Sequence, residues 1–262
     1  MSGIKQKSKP HRQFWPQFDA LQMGSGWDEE DVKKPQILLD DVYGDSHPGS
    51  VHLDKLMDQA SYGVLEQGGF PARFHTTDIC DGCGQGHDGM NYILPSREAI
   101  CDLVEVHGSV SPWDGMILSS SCDKSVPAHL QAAARLDIPT IFIPGGSMRP
   151  GPNMTTSLVA GEISLRQKKP GAISPREIRD YKLTGCPSEG ACAFLGTAST
   201  MQCMAEALGL ALPGTALVPA SLFEIRRLAR QAGRQVMQLA QKGLKPADIL
   251  TKSAFENAIK VH

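Results

Sequence analysis

The chain of 262 residues lacks long apolar runs and an excess of charge of one sign. No run approaches the roughly 18 apolar residues of a membrane-spanning helix, so we expect neither a membrane span nor a secretory signal. The formal net charge of −2 argues against a nucleic-acid-binding surface, because such surfaces carry a basic stripe. With 41% hydrophobic and 21% charged residues, the chain has enough apolar side chains for a packed core.

Cysteine is absent from the first 79 residues and from the last 59. The seven cysteines lie at positions 80, 83, 101, 122, 186, 192 and 203. A secreted disulfide framework is shorter and more evenly cross-linked than this. We therefore expect a cytoplasmic protein whose cysteines are reduced, with some of them binding metal.

The body of the chain shows a repeating pattern of strands and helices. Strands are predicted over 36–44, 74–79, 114–120 and 140–143, and helices over 52–66, 96–106, 126–136 and 197–208. This alternation is typical of parallel βαβ units, so we predict an α/β fold with a mainly parallel sheet over 36–262. Residues 1–35, rich in Lys, Gln, Pro and Gly, are predicted to form an extended arm across this body.

Serine followed three residues later by glutamate predicts three helix starts, by the capping-box pattern. The pairs are Ser174 with Glu177, Ser221 with Glu224, and Ser253 with Glu256. The last of these helices reaches His262 without a stop signal, and from this we expect the natural polypeptide to continue.

The first loop with metal-binding chemistry follows the predicted strand 74–79. It reads CDGCGQGHDG, and its potential ligands are Cys80, Asp81, Cys83, His87 and Asp88. The C-x-x-C pair alone fits half of a structural zinc site, although no second pair follows at the usual spacing. A redox dithiol fits less well, because the pair does not open a helix in a thioredoxin-like pattern.

The second loop holds Cys122, Asp123 and Lys124, where a predicted strand ends and a helix begins. A thiolate suits iron–sulfur clusters or zinc and a carboxylate suits magnesium or calcium, which indicates two unlike metal centres in one pocket. Open α/β sheets bind ligands at this edge. The structural alternative is a buried cysteine beside a surface salt bridge. Lys124 itself fits a substrate clamp, a Schiff-base nucleophile or a carbamylated metal ligand.

The third loop, 185–192, reads GCPSEGAC. Cys186 and Cys192, with glycines and a proline between them, are typical of cluster-binding loops, although either cysteine alone also fits a buried, inert role. Three such loops, each beside a strand end or a helix start, favour one shared site. Cys101 and Cys203 fall within predicted helices, and we expect both to be core residues.

Three motifs resemble the amino-terminal domain of the dihydroxy-acid dehydratase / 6-phosphogluconate dehydratase family, which includes the sugar-acid dehydratases. They are CDGCGQGHDGMNYILPSRE, CDKSVPAHLQAAARLDIPTIFIPGG and CPSEGACAFLGTASTMQCMAEALGLALPG. The resemblance implies a three-layer α/β/α fold and a hydro-lyase that converts a 2,3-dihydroxy carboxylic acid to a 2-keto acid. It also implies an iron–sulfur cluster as Lewis acid on the 3-hydroxyl, and Mg²⁺ on the carboxylate and 2-hydroxyl.

Carried over by position, the resemblance assigns residues to the two metal centres. Cys122 and Cys192 are implied to be cluster ligands, whereas Asp81, Asp123 and a carbamylated Lys124 are implied to face Mg²⁺. A carbamate turns a cation into an oxygen ligand of the kind that a hard metal prefers. Lys124 is thus the catalytic residue that the resemblance implies in this chain.

One departure from the family concerns the third cluster cysteine of members with a 2Fe–2S cluster. The loop before the first long helix reads GDSHPG here, without a cysteine. His47 replaces it in one alternative, as histidine does in Rieske centres, and Cys80 or Cys83 replaces it in another. We expect a 2Fe–2S cluster, with a 4Fe–4S cluster with an open iron, or no cluster, as the alternatives.

The second departure is length, because the family's catalytic serine and a further magnesium ligand lie in a carboxyl-terminal domain that the chain lacks. The alternative to a dehydratase is a truncated, non-catalytic homologue or a zinc-stabilised binding module. The third motif favours a sugar acid (an aldonate) as substrate over a branched-chain dihydroxy acid. The resemblance also implies a homo-oligomer, either a dimer or a tetramer.

Overall fold

The computed structural model describes residues 3–156, 161–163 and 166–262. The strands of its sheet are β1 Gln36–Asp41, β2 Phe70–His75, β3 Gly115–Ser120 and β4 Thr140–Pro144. The α-helices within this part of the chain are α1 Ser8–Phe14, α2 Gln17–Gly24, α3 Leu53–Glu66, α4 Asp81–Gly84, α5 Ile93–Val110, α6 Ser125–Leu136, α7 Pro175–Thr184, α8 Thr197–Ala207, α9 Phe223–Lys242, α10 Pro246–Ile249 and α11 Lys252–Val261. Short 3₁₀ helices cover Asp88–Tyr92 and Pro152–Met154.

The sheet is parallel throughout, with the strand order β2–β1–β3–β4. The central strands β1 and β3 are buried over their whole length because helices cover both faces of the sheet. Helices α3 and α9 pack on one face, whereas α5 and α6 pack on the other. The predicted α/β fold with a parallel sheet, and the three layers that the resemblance implies, are confirmed.

Two glycines allow α3 and α9 to pack closely. A Cβ at Gly63 would overlap the backbone carbonyl of Arg230, and a Cβ at Gly233 would overlap that of Ala60. The two helices therefore meet at backbone contact, which holds the apolar face of α9 against the sheet. The buried residues of this face are Ile225, Ala229, Ala232, Val236 and Met237.

The strand order leaves a crevice at the carboxyl ends of β1 and β3. From β1 the chain passes through α3 to β2, whereas from β3 it passes through α6 to β4 on the opposite side. Open α/β sheets bind ligands at such a reversal, because the loops diverge there and leave a gap. The loops that follow Asp41 and Ser120 border this gap, so their side chains are the ones to examine for function.

The second strand differs from its prediction. The sequence predicts a strand over 74–79, whereas β2 spans Phe70–His75 and pairs with β1 from Phe70 onward. Pro71 is tolerated because β2 is an edge strand, where one side of the backbone needs no ladder partner. Residues 76–80 form a loop instead, and this loop carries Asp78.

The first predicted capping box is confirmed and the second is wrong. The Ser174 hydroxyl accepts from the Glu177 N–H at 3.2 Å, and the Glu177 carboxylate accepts from the Ser174 N–H at 2.8 Å. Ser221 does not cap α9, because that helix begins one residue after Leu222, which holds the N-cap position.

The third predicted capping box is also wrong. Helix α11 begins two residues earlier than predicted, with Thr251 at its N-cap. The Thr251 hydroxyl accepts from the Ala254 N–H at 3.3 Å, so Ser253 lies inside the first turn and does not cap it. Both threonine and serine make good caps, and the backbone entering the helix decides which of them is used.

The amino-terminal arm is helical over much of its length, so the prediction of an extended arm is wrong for α1 and α2. The arm is held to the sheet by Asp114, whose Oδ1 accepts from the Lys7 N–H at 2.8 Å and whose Oδ2 accepts from the Gln36 N–H at 2.8 Å. Short helices of this composition are marginal alone, and such tertiary contacts stabilise them.

Two further predictions concern the interior of helices. Cys101 on α5 is buried, as predicted, but Cys203 on α8 is only partly buried and is therefore not a core residue. Among the described residues, no helix combines the length and apolarity that crossing a membrane requires.

Candidate functional site

Three potential metal ligands converge at the gap between β1 and β3. His47 lies on the loop after β1, Asp78 on the loop after β2, and Cys122 on the loop after β3. One ligand atom from each lies within 4.8 Å of the other two. His47 and Asp78 are buried and Cys122 is partly exposed. An imidazole, a carboxylate and a thiol at this separation are a suitable donor set for a transition metal.

Asp78 is the hydrogen-bonding centre of this group. Its Oδ1 lies 2.7 Å from His47 Nε2 and also accepts from the Ser50 hydroxyl. Its Oδ2 accepts from the Ser125 hydroxyl at 2.8 Å, where α6 begins. Because both oxygens already have partners from neighbouring loops, Asp78 orients the imidazole and has little capacity left to ligate a metal directly.

Cys122 faces the other nitrogen of the same imidazole. Its Sγ lies 3.9 Å from His47 Nδ1. Gly49 permits this approach, because a Cβ at position 49 would overlap Cys122 Sγ and crowd His47 Nδ1. Burial, reinforced by the charges of Asp78 and Cys80, raises the pKa of the Cys122 thiol well above its ordinary value. A bound metal would overcome this effect, since a coordinating thiol loses its proton.

Asp123 and Lys124 form a second group beside Cys122. The Lys124 ammonium donates to Asp123 Oδ2 at 2.6 Å, and the Thr197 hydroxyl at the start of α8 donates to the same oxygen at 3.1 Å. The side chains of Lys124 and Asp123 are only 18% and 9% exposed. Lys124 and Asp123 therefore form a largely buried ion pair beside Cys122.

The third loop reaches the site through its backbone. The Gly190 N–H donates to the Pro48 carbonyl at 2.8 Å, and the Ala191 N–H donates to the Gly146 carbonyl at 2.9 Å. Gly190 has a φ of +115°, and a Cβ there would overlap the backbone of residues 147–148, so this position requires glycine. Cys192, two residues after Gly190, is partly buried. The loop before α8 is thus joined to the loop after β1.

Gln202 on α8 holds two of these loops together, and the sequence analysis missed it. Its Nε2 donates to the Ser121 carbonyl at 3.0 Å, and its Oε1 accepts from the Gly146 N–H at 2.8 Å. The side chain is completely buried. The sequence signal for Gln202 is its position as the one amide side chain in a helix of mostly small and apolar residues. An amide buried in such a helix needs hydrogen-bond partners.

The first loop contributes less than its sequence suggests. Cys83, His87 and Asp88 are exposed. His87 Nδ1 accepts from the Gly89 N–H at 3.0 Å, so this imidazole caps a 3₁₀ helix. Cys80 is partly buried, and this burial raises the pKa of its thiol to about 11. The Cys80 thiol therefore lacks the lowered pKa of reactive cysteines.

The group within 4.8 Å contains neither Cys80 nor Asp81. Asp81 opens the short helix α4 and is partly exposed. The residue that joins the group is Asp78, which lies just before the motif and was not predicted. The signal was weak, because a single aspartate after a threonine pair is common in loops and only its burial distinguishes it.

The profile described as "Dihydroxy-acid/6-phosphogluconate dehydratase N-terminal" matches residues 34–262. The chain belongs to this family. The match begins just before β1, so the matched region contains the sheet, its covering helices and both groups at the crevice.

Curated relatives agree with this assignment. Dihydroxy-acid dehydratase of Halothermothrix orenii is 42% identical over 257 residues, which are 97% of this chain and 45% of the relative. Dihydroxy-acid dehydratase 1 of Methanosarcina acetivorans is 41% identical over 244 residues, which are 92% of this chain and 44% of the relative. The chain therefore spans less than half the length of these relatives.

Proposed function

We propose that the chain serves a hydro-lyase that removes water from a 2,3-dihydroxy carboxylic acid to yield a 2-keto acid. Family membership supports the reaction class, and the relatives' name, dihydroxy-acid dehydratase, supports the substrate class. The observation that carries the proposal is the convergence of His47, Asp78 and Cys122 within 4.8 Å, with Asp123 and Lys124 next to Cys122 in the chain.

The residues of the crevice fit a sulfur-bound centre beside an oxygen-bound one. Because residue 49 is glycine, no side chain from that position occupies the space beside the Cys122 thiol. Lys124 and Asp123 pair with each other and are largely buried. We propose that Cys122 and Cys192 hold an iron–sulfur cluster, whose third ligand comes from the same pocket. When bound, such a cluster and Mg²⁺ polarise a leaving hydroxyl and orient a carboxylate substrate.

We propose Asp123, Asp81 and a carbamylated Lys124 as the oxygen ligands of Mg²⁺. The Thr197 hydroxyl, 3.1 Å from Asp123 Oδ2, orients that carboxylate. Lys124 is the catalytic residue in this proposal, since its carbamate would sit within reach of the substrate's metal. The carbamate forms by addition of carbon dioxide to the neutral amine, which loses one proton.

The reaction balances without a redox partner. The C2 hydrogen leaves as a proton and the C3 hydroxyl leaves with it as water, and the resulting enol tautomerises to the 2-keto acid. The third motif favours a sugar acid, whereas the relatives' name favours a dihydroxy acid. We therefore propose a 2,3-dihydroxy acid as the substrate. The assay below distinguishes a sugar acid from a branched-chain dihydroxy acid.

The test is anaerobic reconstitution with iron, sulfide and Mg²⁺, for this chain and for the full product of its gene. Iron and acid-labile sulfide are measured, and 2-keto acid release is followed with 2,3-dihydroxy-3-methylbutanoate and with gluconate. We expect a brown protein with similar amounts of iron and sulfide, and keto-acid release from one of the two acids. A colourless protein that takes up no iron contradicts the proposal.

The matched variant for this test is Lys124→Arg. It keeps the positive charge beside Asp123 but cannot form a stable carbamate, so we expect unchanged iron and sulfide with keto-acid release lost. Activity equal to that of the unaltered protein would remove Lys124 from the proposed magnesium site.

A second candidate function is a zinc-stabilised binding module. It is favoured by one observation, because an imidazole nitrogen and a thiol 3.9 Å apart also fit a zinc ion. One zinc per chain, with no sulfide and no keto-acid release after reconstitution, would support this alternative over the dehydratase.

We also propose a homo-oligomer, either a dimer or a tetramer. Exposed apolar side chains at the carboxyl-terminal helices support it, among them Phe223 at 77% exposure and Ile259 at 74%. Exposed apolar surface of this kind marks interaction sites. Light scattering after size-exclusion chromatography is expected to give a multiple of 28.2 kDa, and a monomer at every concentration contradicts the proposal.

A further inference from the structure

Histidine–carboxylate pairs recur at the carboxyl ends of the strands, but one of them differs from the others. In the described part of the chain the pairs at this edge are His47–Asp78 at 2.7 Å, His75–Asp41 at 2.7 Å and His107–Asp40 at 2.6 Å. In the pairs of His75 and His107 the carboxylate binds Nδ1. In the pair of His47 it binds Nε2, which leaves Nδ1 directed toward Cys122.

Asp78 determines which nitrogen of His47 is available. A carboxylate 2.7 Å from Nε2 holds the proton on that nitrogen, so the lone pair of the neutral ring is on Nδ1. Metal-ligating histidines are held in this way, with one nitrogen on a carboxylate and the other on the metal. Both side chains are almost completely buried, at 1% and 2% exposure, so the ring is fixed before any metal arrives.

The distance between the two donors suits a shared metal. Two ligands of one tetrahedral ion, with bonds of about 2.3 Å to sulfur and about 2.0 Å to nitrogen, lie roughly 3.5 Å apart. The separation of 3.9 Å between His47 Nδ1 and Cys122 Sγ is close to this value. Gly49 provides the clearance, because any side chain there would occupy the space beside both donor atoms.

We infer that His47 Nδ1, positioned by Asp78, is a nitrogen ligand of the iron–sulfur cluster and shares one iron with Cys122. The inference rests on the proposed function, which supplies the cluster. It gives the cluster a mixed sulfur and nitrogen ligand set in this chain. Asp78 is a positioning residue that acts through His47.

The cysteines of the first loop are weaker alternatives for this ligand. Cys83 is exposed, and the group within 4.8 Å includes neither Cys83 nor Cys80. The charge of Cys80 contributes to the raised pKa of the Cys122 thiol, whereas His47 Nδ1 lies 3.9 Å from the Cys122 sulfur. In addition, the His47 imidazole is already oriented by the Asp78 carboxylate.

The test uses the full chain reconstituted anaerobically with iron and sulfide, reduced, and examined by pulsed electron paramagnetic resonance. We expect a strong ¹⁴N coupling from a directly bound nitrogen, which changes to a ¹⁵N pattern when histidine alone is labelled with ¹⁵N. His47→Cys is expected to keep the cluster, lose the nitrogen coupling and shift the reduction potential downward, because imidazole ligation raises it.

The outcomes separate this inference from the proposed function. A cluster without histidine nitrogen coupling overturns the inference and leaves the dehydratase proposal intact. Failure to form any cluster, or uptake of zinc alone, overturns both. Retention of the full coupling in His47→Cys assigns the nitrogen to another histidine and also overturns the inference.

Asp78→Asn keeps a hydrogen-bonding side chain of the same shape, so it is the second variant in case His47→Cys does not fold. We expect a roughly 10- to 100-fold weaker retention of iron and a reduction potential shifted upward by the loss of a negative charge. His107→Gln is the matched control, since it alters another histidine–carboxylate pair at this edge, in which the carboxylate binds Nδ1. Equal shifts in Asp78→Asn and His107→Gln would show a general effect of destabilisation and overturn the positioning role.

Discussion

Two regions with metal-binding chemistry differ sharply in this molecule. The first loop, residues 80–89, holds five potential ligands within one short stretch, yet Cys83, His87 and Asp88 point to solvent. The crevice pocket, defined by His47, Gly49, Asp78 and Cys122, draws its ligands from three separate loops and buries most of them. Ligand density along the chain is therefore a poorer guide to a site than convergence at a sheet edge.

The difference has a physical origin in how each region satisfies its polar groups. In the first loop, the polar side chains are exposed to solvent or hydrogen-bond to the local backbone, as the bond from the Gly89 N–H to His87 illustrates. In the pocket, Asp78 receives hydrogen bonds from the loops after β1 and β3, so each donor fixes the others. A network of that kind is costly to disturb, because a buried group left alone loses its partners entirely.

The largest expected effect comes from removing one thiol from each region. Cys122→Ser is expected to abolish nearly all iron and sulfide uptake on reconstitution, because serine is a poor ligand for a cluster. Cys83→Ser, the matched control in the exposed loop, is expected to keep it. Iron and acid-labile sulfide assays measure both. Loss of the cluster in Cys83→Ser with retention in Cys122→Ser would reverse the comparison.

Thiol reactivity before metal loading should differ by roughly 100-fold between the two regions. Cys83 is exposed, whereas Cys122 is only partly exposed and burial raises the pKa of its thiol, so little thiolate forms there. Iodoacetamide labelling at pH 8, followed by peptide mass spectrometry, gives the two rates. Equal rates would mean that the pocket opens readily and that its burial is not maintained in solution.

Two buried histidines, His47 and His129, differ in whether the imidazole has a hydrogen-bond partner. His47 has a carboxylate partner, whereas His129 on α6 is fully buried and neither of its ring nitrogens has a partner in the described structure. Burial lowers the pKa of His129 from 6.5 to about 4. The folded-state pKa is depressed, so the unfolded chain takes up a proton first as the pH falls, and stability present above pH 6.5 is lost toward pH 4.

His129→Leu tests this effect through the pH dependence of unfolding. Between pH 7 and pH 5 the unaltered protein should lose about 2 kcal/mol of stability through this one group, and the variant should not. Urea unfolding at the two pH values provides the measurement. An identical loss in both proteins would place the acid sensitivity elsewhere, for example at His52, whose pKa is also lowered by burial.

Gly49→Ala is the smallest change that should close the pocket. The added methyl group would overlap Cys122 Sγ, so we expect iron retention about tenfold weaker, from an overpacking cost of about 1–2 kcal/mol. Gly44→Ala is the control on the same loop, because a Cβ there makes only an ordinary contact of 3.4 Å with Thr77. Unchanged iron retention in Gly49→Ala would show that the space beside Cys122 is not needed.

Much of the fold was predictable because its signals are local. The apolar stretches of β1, β3 and β4 and the amphipathic helices between them were found close to their observed bounds. The second strand was misplaced by about four residues, because Phe70-Pro-Ala-Arg pairs only as an edge strand and its proline suggests a break. Two of three capping boxes failed, since neighbouring Leu222 and Thr251 hold the cap positions.

The candidate site was predictable only in part. Cys122, Asp123 and Lys124 were found because they follow a buried strand at the ligand-binding edge. His47 was found because a cysteine is missing from its loop. Asp78 and Gln202 were not found, since their importance lies in hydrogen bonds to residues 31 and 81 positions away. Whether Asp81 and Cys192 take the roles that the resemblance implies stays a prediction.

The sequence alone determined the parallel α/β framework, the family, and the position of a thiol, a carboxylate and a lysine after β3. These follow from apolar periodicity and from motifs, which are properties of neighbouring residues. The tertiary structure decided which nitrogen of His47 faces Cys122, that Asp78 holds the ring, and that Gly49 leaves the space between them. Such choices depend on distances between loops that only the packed sheet and its helices establish.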